Sequence, residues 1–396
     1  MVPKGWSSVQ AQDVCKSISV GVVIKPTQYY VPEGYGVKAF RSANVREGFI
    51  NDSDWVYFSH EGHAINKKSH LKTGDVLIVR TGYPGTACVV TPEFEGSNAI
   101  DIVIARPDMD KIIPEYLCAY TNSHIGKSQV LDLQGGMAQK HLNVGAYQVL
   151  KINLPPLREQ KKIAQILSTW DKAITVTEKL LANSQRQKKA LMQQLLTGKK
   201  RLLDENGERF SGEWKQDVNL GSIINISKGV QINKNTLSED GQFPVINGGI
   251  APSGFTSEFN TDENTITISE GGNSCGYVAF QKKSFWCGGH CYAVRKTALD
   301  LSFTFHLLKY NELKIMGLRV GSGLPNIQKK AIEAFTVNFP VTSVEQQKIA
   351  AVLSAADDEI ATLEKKLACL KDEKKALMQQ LLTGKRRVKI DEAVAA

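Results

Sequence analysis

Apolar residues in two stretches of this 396-residue chain recur at alternating intervals of three and four. Between 344 and 387 they are Ile360, Leu363, Leu367, Leu370, Leu377 and Leu381, interrupted once by Lys374. Between 158 and 201, Ile163, Ile166, Trp170, Ile174, Leu181, Leu191 and Leu195 keep the same register, with Thr177, Ser184 and Lys188 as its weaker positions. Such spacing lays one apolar stripe along a helix and is the seam of a coiled coil. Each stretch follows a proline (Pro155 and Pro156; Pro340) and stops at Thr-Gly, where Gly198 and Gly384 suit the left-handed position that ends a helix. At a 1.5 Å rise, about 40 residues span roughly 60 Å, too long for one small core. The two stripes are therefore expected to pack on each other as an antiparallel pair that holds the other segments apart.

The remaining segments alternate differently. DVLIVRTG (75 to 82), NAIDIVIA (98 to 105), NTITISEGG (264 to 272) and GYVAF (276 to 280) are rich in β-branched residues and punctuated by Gly and Asn, which predicts strands. Short helices are expected around 114 to 126 and 302 to 314. Each segment reads as an α+β domain.

A repeat ties these elements together. KKALMQQLLTGK occurs at 188 to 199 and again at 374 to 385, an offset of 186 residues, and 26 of the 44 positions from 158 to 201 equal their partners at 344 to 387. A fainter echo precedes each copy, ending at Pro155 and Pro340, and PKGW at 3 to 6 resembles SGEW at 211 to 214. The chain divides accordingly into 1–157, 158–201, 202–343, 344–387 and a tail, 388–396: a variable domain and a nearly fixed helix, twice over.

Composition narrows the class. With 42% hydrophobic residues and no long apolar run, the chain reads as globular, with neither a membrane span nor a secretory leader, which places it in the cytoplasm. Seven scattered cysteines imply no disulfide framework. The net charge of +9 is uneven: the segment 158–201 carries 11 basic against 3 acidic residues, whereas 1–157 carries 15 against 14 and 202–343 carries 13 against 14. Part of that surplus, Lys188, Lys189, Lys199, Lys200 and Arg201, crowds towards a helix C-terminus, where cations complement the macrodipole. Bulk charge is thus a weak pointer to an anionic partner.

Catalytic patterns are missing. There is no P-loop, no Gly-rich cofactor loop and no Asn-Pro-Pro-type loop of the kind a methyltransferase needs. Cys275, Cys287, His290 and Cys291 form the densest group of soft ligands, but paired CxxC spacing is absent, so the cysteines are expected to be buried as small apolar residues, with no metal. Trp6, Trp55, Trp214 and Trp286 are expected in the core. No catalytic residue and no cofactor is assigned.

Two divergent α+β segments alternate with two near-identical helices, each opening on Pro, then Glu-Gln and Ile-Ala (Glu159, Gln160, Ile163, Ala164; Glu345, Gln346, Ile349, Ala350), and closing on LLTGK. This arrangement resembles the specificity subunit of Type I restriction-modification systems over essentially the whole chain. GDVLIVRTGYPGTACVV, QFPVINGGI and GYVAFQKKSFWCGGHCY resemble phrases of that family's target recognition domains. The resemblance implies that each variable domain reads half of a split, asymmetric site in double-stranded DNA. It also implies that the helices set the gap and dock two modification (methyltransferase) subunits, with restriction (translocase and nuclease) subunits as further partners in some complexes and no membrane partner. Cofactor binding, methyl transfer and cleavage would belong to the partners.

For base reading, donors and acceptors on Gly-rich loops are the candidates, because there the backbone can approach DNA. In the first domain they are Lys38, Arg41, Arg46, Arg80, Thr81, Tyr83, Gln139, Lys140, His141 and Asn143. In the second they are Lys228, Gln231, Asn247, Asn273, Ser274, Lys282, Asn326, Gln328 and Lys329. The competing interpretation is a coiled-coil scaffold, non-catalytic, that binds proteins only.

Overall fold

The computed structural model describes residues 2–133, 141–321 and 323–390. By its contacts the chain forms two units, Met1–Glu178 with Lys365–Ala396, and Lys179–Glu364. The division cuts both long helices, Leu157–Leu195 and Ser343–Leu382, so each unit owns half of each.

The first unit is built on a four-stranded antiparallel sheet in the order Cys15–Val20, Ile102–Pro107, Val76–Val79, Ala87–Val89. Val76 to Val79 are buried on both faces, which is why this run lacks alternation. A second sheet orders Asn98–Ala99, Gly36–Phe40, Val56–Ser59 and Tyr30–Val31, the first pair being parallel. The apolar run 98 to 105, which predicts one strand, is split between these sheets at Asp101, whose φ of 50° turns the chain. The helix expected near 114 to 126 is two, Pro114–Asn122 and His124–Asp132, because Ser123 ends one and caps the next by accepting from Gly126 N–H.

The second unit repeats this plan. Its main sheet runs Ile224–Lys228, Cys291–Thr297, Thr265–Ser269, Val278–Gln281, and a smaller one pairs Trp286–Cys287 in parallel with Phe243–Ile246. The expected helix at 302 to 314 is also a pair, Leu301–Tyr310 and Glu312–Met316. In each unit a short strand near the domain's start pairs antiparallel with the strand that leads into a long helix: Ser7–Gln10 with Lys151–Leu154, and Trp214–Asn219 with Thr336–Pro340.

The repeated Glu-Gln and Ile-Ala phrase is explained inside each core. Gln160, fully buried, accepts from Ile113 N–H and donates to the carbonyls of Lys111 and Pro155; Gln346 accepts from Asp300 N–H and donates to Pro340. Each glutamine thus ties its long helix to the loop that starts the domain's own helix. Ile163 and Ile349 are buried in the main apolar clusters of their units. Glu159 accepts from Arg387 and Trp6, and Glu345 from Arg201.

Along both helices the positions of the three-four stripe are buried or half-buried, including the weak ones. Thr177 and Ser184 are buried; Thr177 satisfies itself on the Ala173 carbonyl and Ser184 donates to Glu359 at 3.0 Å. Lys374 donates to Asp171 at 2.5 Å in the first unit, and Lys188 pairs with Asp357 in the second. Both helices end as expected: Gly198 and Gly384 have φ of 71° and 72°, and Lys200 and Arg386 reach back to the carbonyls of Gln194 and Gln380.

Trp6 is buried, while Trp55, Trp214 and Trp286 are half-buried. Cys275, Cys287 and Cys291 are buried in apolar clusters. No helix among the described residues is long and apolar enough to cross a membrane.

Candidate nucleic-acid interface

In the first unit the chain leaves the central strand at Arg80 and returns at Ala87 through a loop whose Gly82 and Gly85 adopt φ of 89° and 84°. Arg80 lies inward. Its Nε donates to the Leu142 carbonyl at 3.0 Å, and its terminal nitrogens meet Asp101 and His141. An arginine only donates, so His141 Nε2 accepts and the ring proton sits on Nδ1, 3.1 Å from Thr81 Oγ1. Arg80, Thr81 and His141 therefore form one knot, from which Tyr83 projects with 83% of its surface exposed. Asn143 caps the helix Val144–Gln148 by accepting from Ala146 N–H.

Lys38 and Arg41 form a separate group. Lys38 bonds Asp52 at 3.0 Å and lies over the rings of Trp55 and Phe94, while Arg41 pairs with Asp54 at 2.9 Å. The bonds from Lys38 and Trp55 hold the Asp52 carboxyl below its ordinary pKa. Arg46 is exposed on the two-residue strand Val45–Arg46. Gln139 and Lys140 lie outside the described residues.

The second unit gathers more of its candidates into one place. Glu270 follows the central strand, and its carboxylate receives Lys228 at 2.6 Å, with His290 Nδ1 and the Tyr292 hydroxyl each at 3.3 Å. Burial, then the charge of Glu270, pushes the Tyr292 phenol up to about 12, so it stays protonated and can donate. Asn247 accepts from the His290 backbone N–H at 2.9 Å, Ser274 donates to the Gly248 carbonyl at 2.6 Å, and Asn326 bridges to Gly271. Asn273 is exposed on the same loop, and Gln328 donates to Asn326 at 3.1 Å. Glycine is favoured at 288, where a Cβ would come within 2.5 Å of Asn247 Oδ1 and 2.8 Å of Asn247 Cβ, whereas at 289 it would meet only the end of the Gln231 side chain, at 2.6 Å from Oε1. Lys282 stands apart at the end of Val278–Gln281, and Lys329 pairs with Glu333 at 3.5 Å on its own short helix.

The base-reading candidates drawn from the sequence omit Asp101, Glu270 and His290, which hold these clusters together, and the exposed apolar residues Val230, Ile250 and Leu324; His290 is considered there only beside the cysteines. Exposed donors and acceptors such as Asn273, with exposed apolar side chains in the same unit, can bond to base edges and touch thymine methyl groups. Among the described residues no group of three His, Cys, Asp or Glu side chains is placed to hold a metal ion.

Two α+β units of one plan, each with a polar loop cluster and each sharing two repeated helices, define a bipartite binding protein. The chain matches the family described as the Type I restriction modification DNA specificity domain twice, at residues 3–183 and 212–372, and it belongs to that family. A Methanocaldococcus jannaschii protein provisionally named the specificity subunit of the type I restriction enzyme MjaX is 28% identical over 428 residues, covering 98% of this chain and 95% of that one. A Mycoplasma pneumoniae protein provisionally named a type I specificity subunit is 37% identical over 141 residues, 35% of this chain and 37% of that one. The fold matches the crystal structure of a Type I restriction-modification S subunit from M. genitalium with a TM-score of 0.67 at 17% identity, over 98% of this chain and 97% of that one.

Proposed function

We propose that the chain is the DNA-recognition subunit of a Type I restriction-modification complex and is not itself an enzyme. On this reading 1–157 and 202–343 each bind one half of a bipartite, asymmetric site in double-stranded DNA. The segments 158–201 and 344–387 pair as an antiparallel coiled coil, set the gap between the halves and dock two methyltransferase subunits in the cytoplasm, with 388–396 as a tail. The observation that carries this reading is that two domains with one strand plan differ in their loop residues, yet hang on helices of nearly the same sequence. Architecture is repeated where partners and spacing demand sameness, and differs where two unlike half-sites must be read. The Lys374–Asp171 and Lys188–Asp357 bonds support the helix pairing, because each joins one long helix to the other.

The test is a mobility shift with random duplexes, run with and without the host's modification subunits, together with sequencing of methylated adenines in the host genome. Binding that strengthens with the partners, and methylation in a split motif with a fixed gap, are expected. No binding under either condition would leave the protein-only scaffold as the better account.

A further inference from the structure

The two reading domains place charges of opposite sign at the same point of the fold. Arg80 follows the last residue of Val76–Val79, and Glu270 follows the last residue of Thr265–Ser269. Each accepts through its backbone carbonyl the corresponding N–H, that of Leu142 at 3.0 Å and that of Ile327 at 2.9 Å. On the adjacent strand the residue just before Ile102 is Asp101, and the one just before Cys291 is His290. The equivalence is anchored on the next strand too: Gly21 N–H bonds Ile102 and Gly229 N–H bonds Cys291, while Val22 and Val230 bond Ala99 and Cys287. An Arg80–Asp101 pair in one domain is therefore a Glu270–His290 pair in the other.

The pairs differ in what they leave available. In the first domain both nitrogens of His141 are engaged, by Arg80 and Thr81. In the second, His290 gives only Nδ1 to Glu270; its side chain is 61% exposed, and Nε2 has no hydrogen-bond partner among the described residues. Lys228 already balances the Glu270 charge at 2.6 Å, so the carboxylate orients the ring without needing it cationic. With the proton on Nδ1, Nε2 is an acceptor. Beside it, Asn247 is packed against Gly288 and accepts from the His290 backbone N–H at 2.9 Å.

We propose that His290 is a base-contacting specificity residue of the second domain, accepting through Nε2 from an exocyclic amino group, adenine N6 or cytosine N4. Glu270 is the positioning residue that fixes the ring, and the charge-reversed pair in the first domain makes His141 structural. This rests on the DNA-recognition function proposed above. The test uses the full complex with its modification subunits and a fluorescent duplex carrying the motif found by methylation sequencing. H290A and E270Q are each expected to weaken binding by about tenfold and to lose discrimination against an altered A·T or C·G pair in the second half-site only. Because Glu270 acts through His290, the double variant is expected to stay close to either single one, not to fall about a hundredfold. Full discrimination by H290A, whose exposed position makes folding a small concern, or a multiplicative loss in the double variant, would overturn the proposal; failure of the wild-type complex to bind any duplex would instead overturn the DNA-recognition function.

Discussion

His306 is a buried residue whose cost depends on its protonation state. It sits on the helix Leu301–Tyr310 with 1% of its side chain exposed, its Nε2 is 3.0 Å from Ser354 Oγ, and Nδ1 lacks a hydrogen bond among the described residues although Asp357 lies 3.9 Å away. Burial, against the opposing pull of Asp357 and Asp300 and with help from Lys188, pushes its pKa from 6.5 down to about 4. An unfolded chain takes up this proton near pH 6.5 and the folded one only near 4, so between those values the unfolded state binds more protons. Stability from this group is complete above pH 6.5 and declines as pH falls towards 4, by at most on the order of 3 kcal/mol. We expect the melting temperature of the wild type to drop more steeply over that range than that of H306L, measured calorimetrically on the two proteins side by side; parallel curves would refute the assignment.

Among the elements, the ends of the long helices are secured by matching ion pairs of unequal burial. Arg201 bonds both oxygens of Glu345, whose side chain is 1% exposed and receives no other bond among the described residues, and lies over the Trp214 ring. Arg387 bonds Glu159 in the same way over Trp6, but Arg387 is 43% exposed and Trp6 Nε1–H also donates to Glu159 at 3.2 Å. Removing Arg201 strands a buried carboxylate, which costs roughly 3–5 kcal/mol. Removing Arg387 leaves Glu159 with a donor, and a loss of about 1–2 kcal/mol is expected. Urea unfolding of R201A and R387A should rank them in that order, and equal losses would show that exposure and the second donor do not matter here. The same comparison explains the lysines that interrupt the stripe: each pairs with an aspartate, and the two aspartates are also 186 positions apart, so the repeat carries an ion pair as well as an apolar stripe.

For the molecule as a whole, the proposed role of the helices makes a length prediction. Inserting four residues near Thr177 adds about one helical turn, roughly 6 Å. Methylation sequencing of that variant is expected to show a longer gap between unchanged half-sites. Altered half-sites with an unaltered gap would contradict a spacer role, and loss of all methylation, with the variant still folded, would point instead to a register error in the seam, which a matching insertion in the second helix would relieve.

The helices and the twofold plan were legible in the sequence because they rest on local rules: apolar residues every three or four positions, proline before and left-handed glycine after, and a repeat that needs no coordinates to be seen. Strands such as Val76–Val79 and Thr265–Ser269 were legible for the same reason. The clusters at the loops were legible only in part. Arg80 reads in the sequence as a free donor, yet the structure surrounds it with Asp101, Leu142 and His141, and Glu270 and His290 stand 20 positions apart with nothing local to join them. Which polar side chains are consumed inside the protein and which are left for a partner depends on where neighbouring strands end, and that is a long-range property. The sequence by itself therefore determined the architecture and the family, because periodicity and repetition are written residue by residue; only the tertiary structure decided which charges face each other, because a hydrogen bond between strands has no signature in either strand alone.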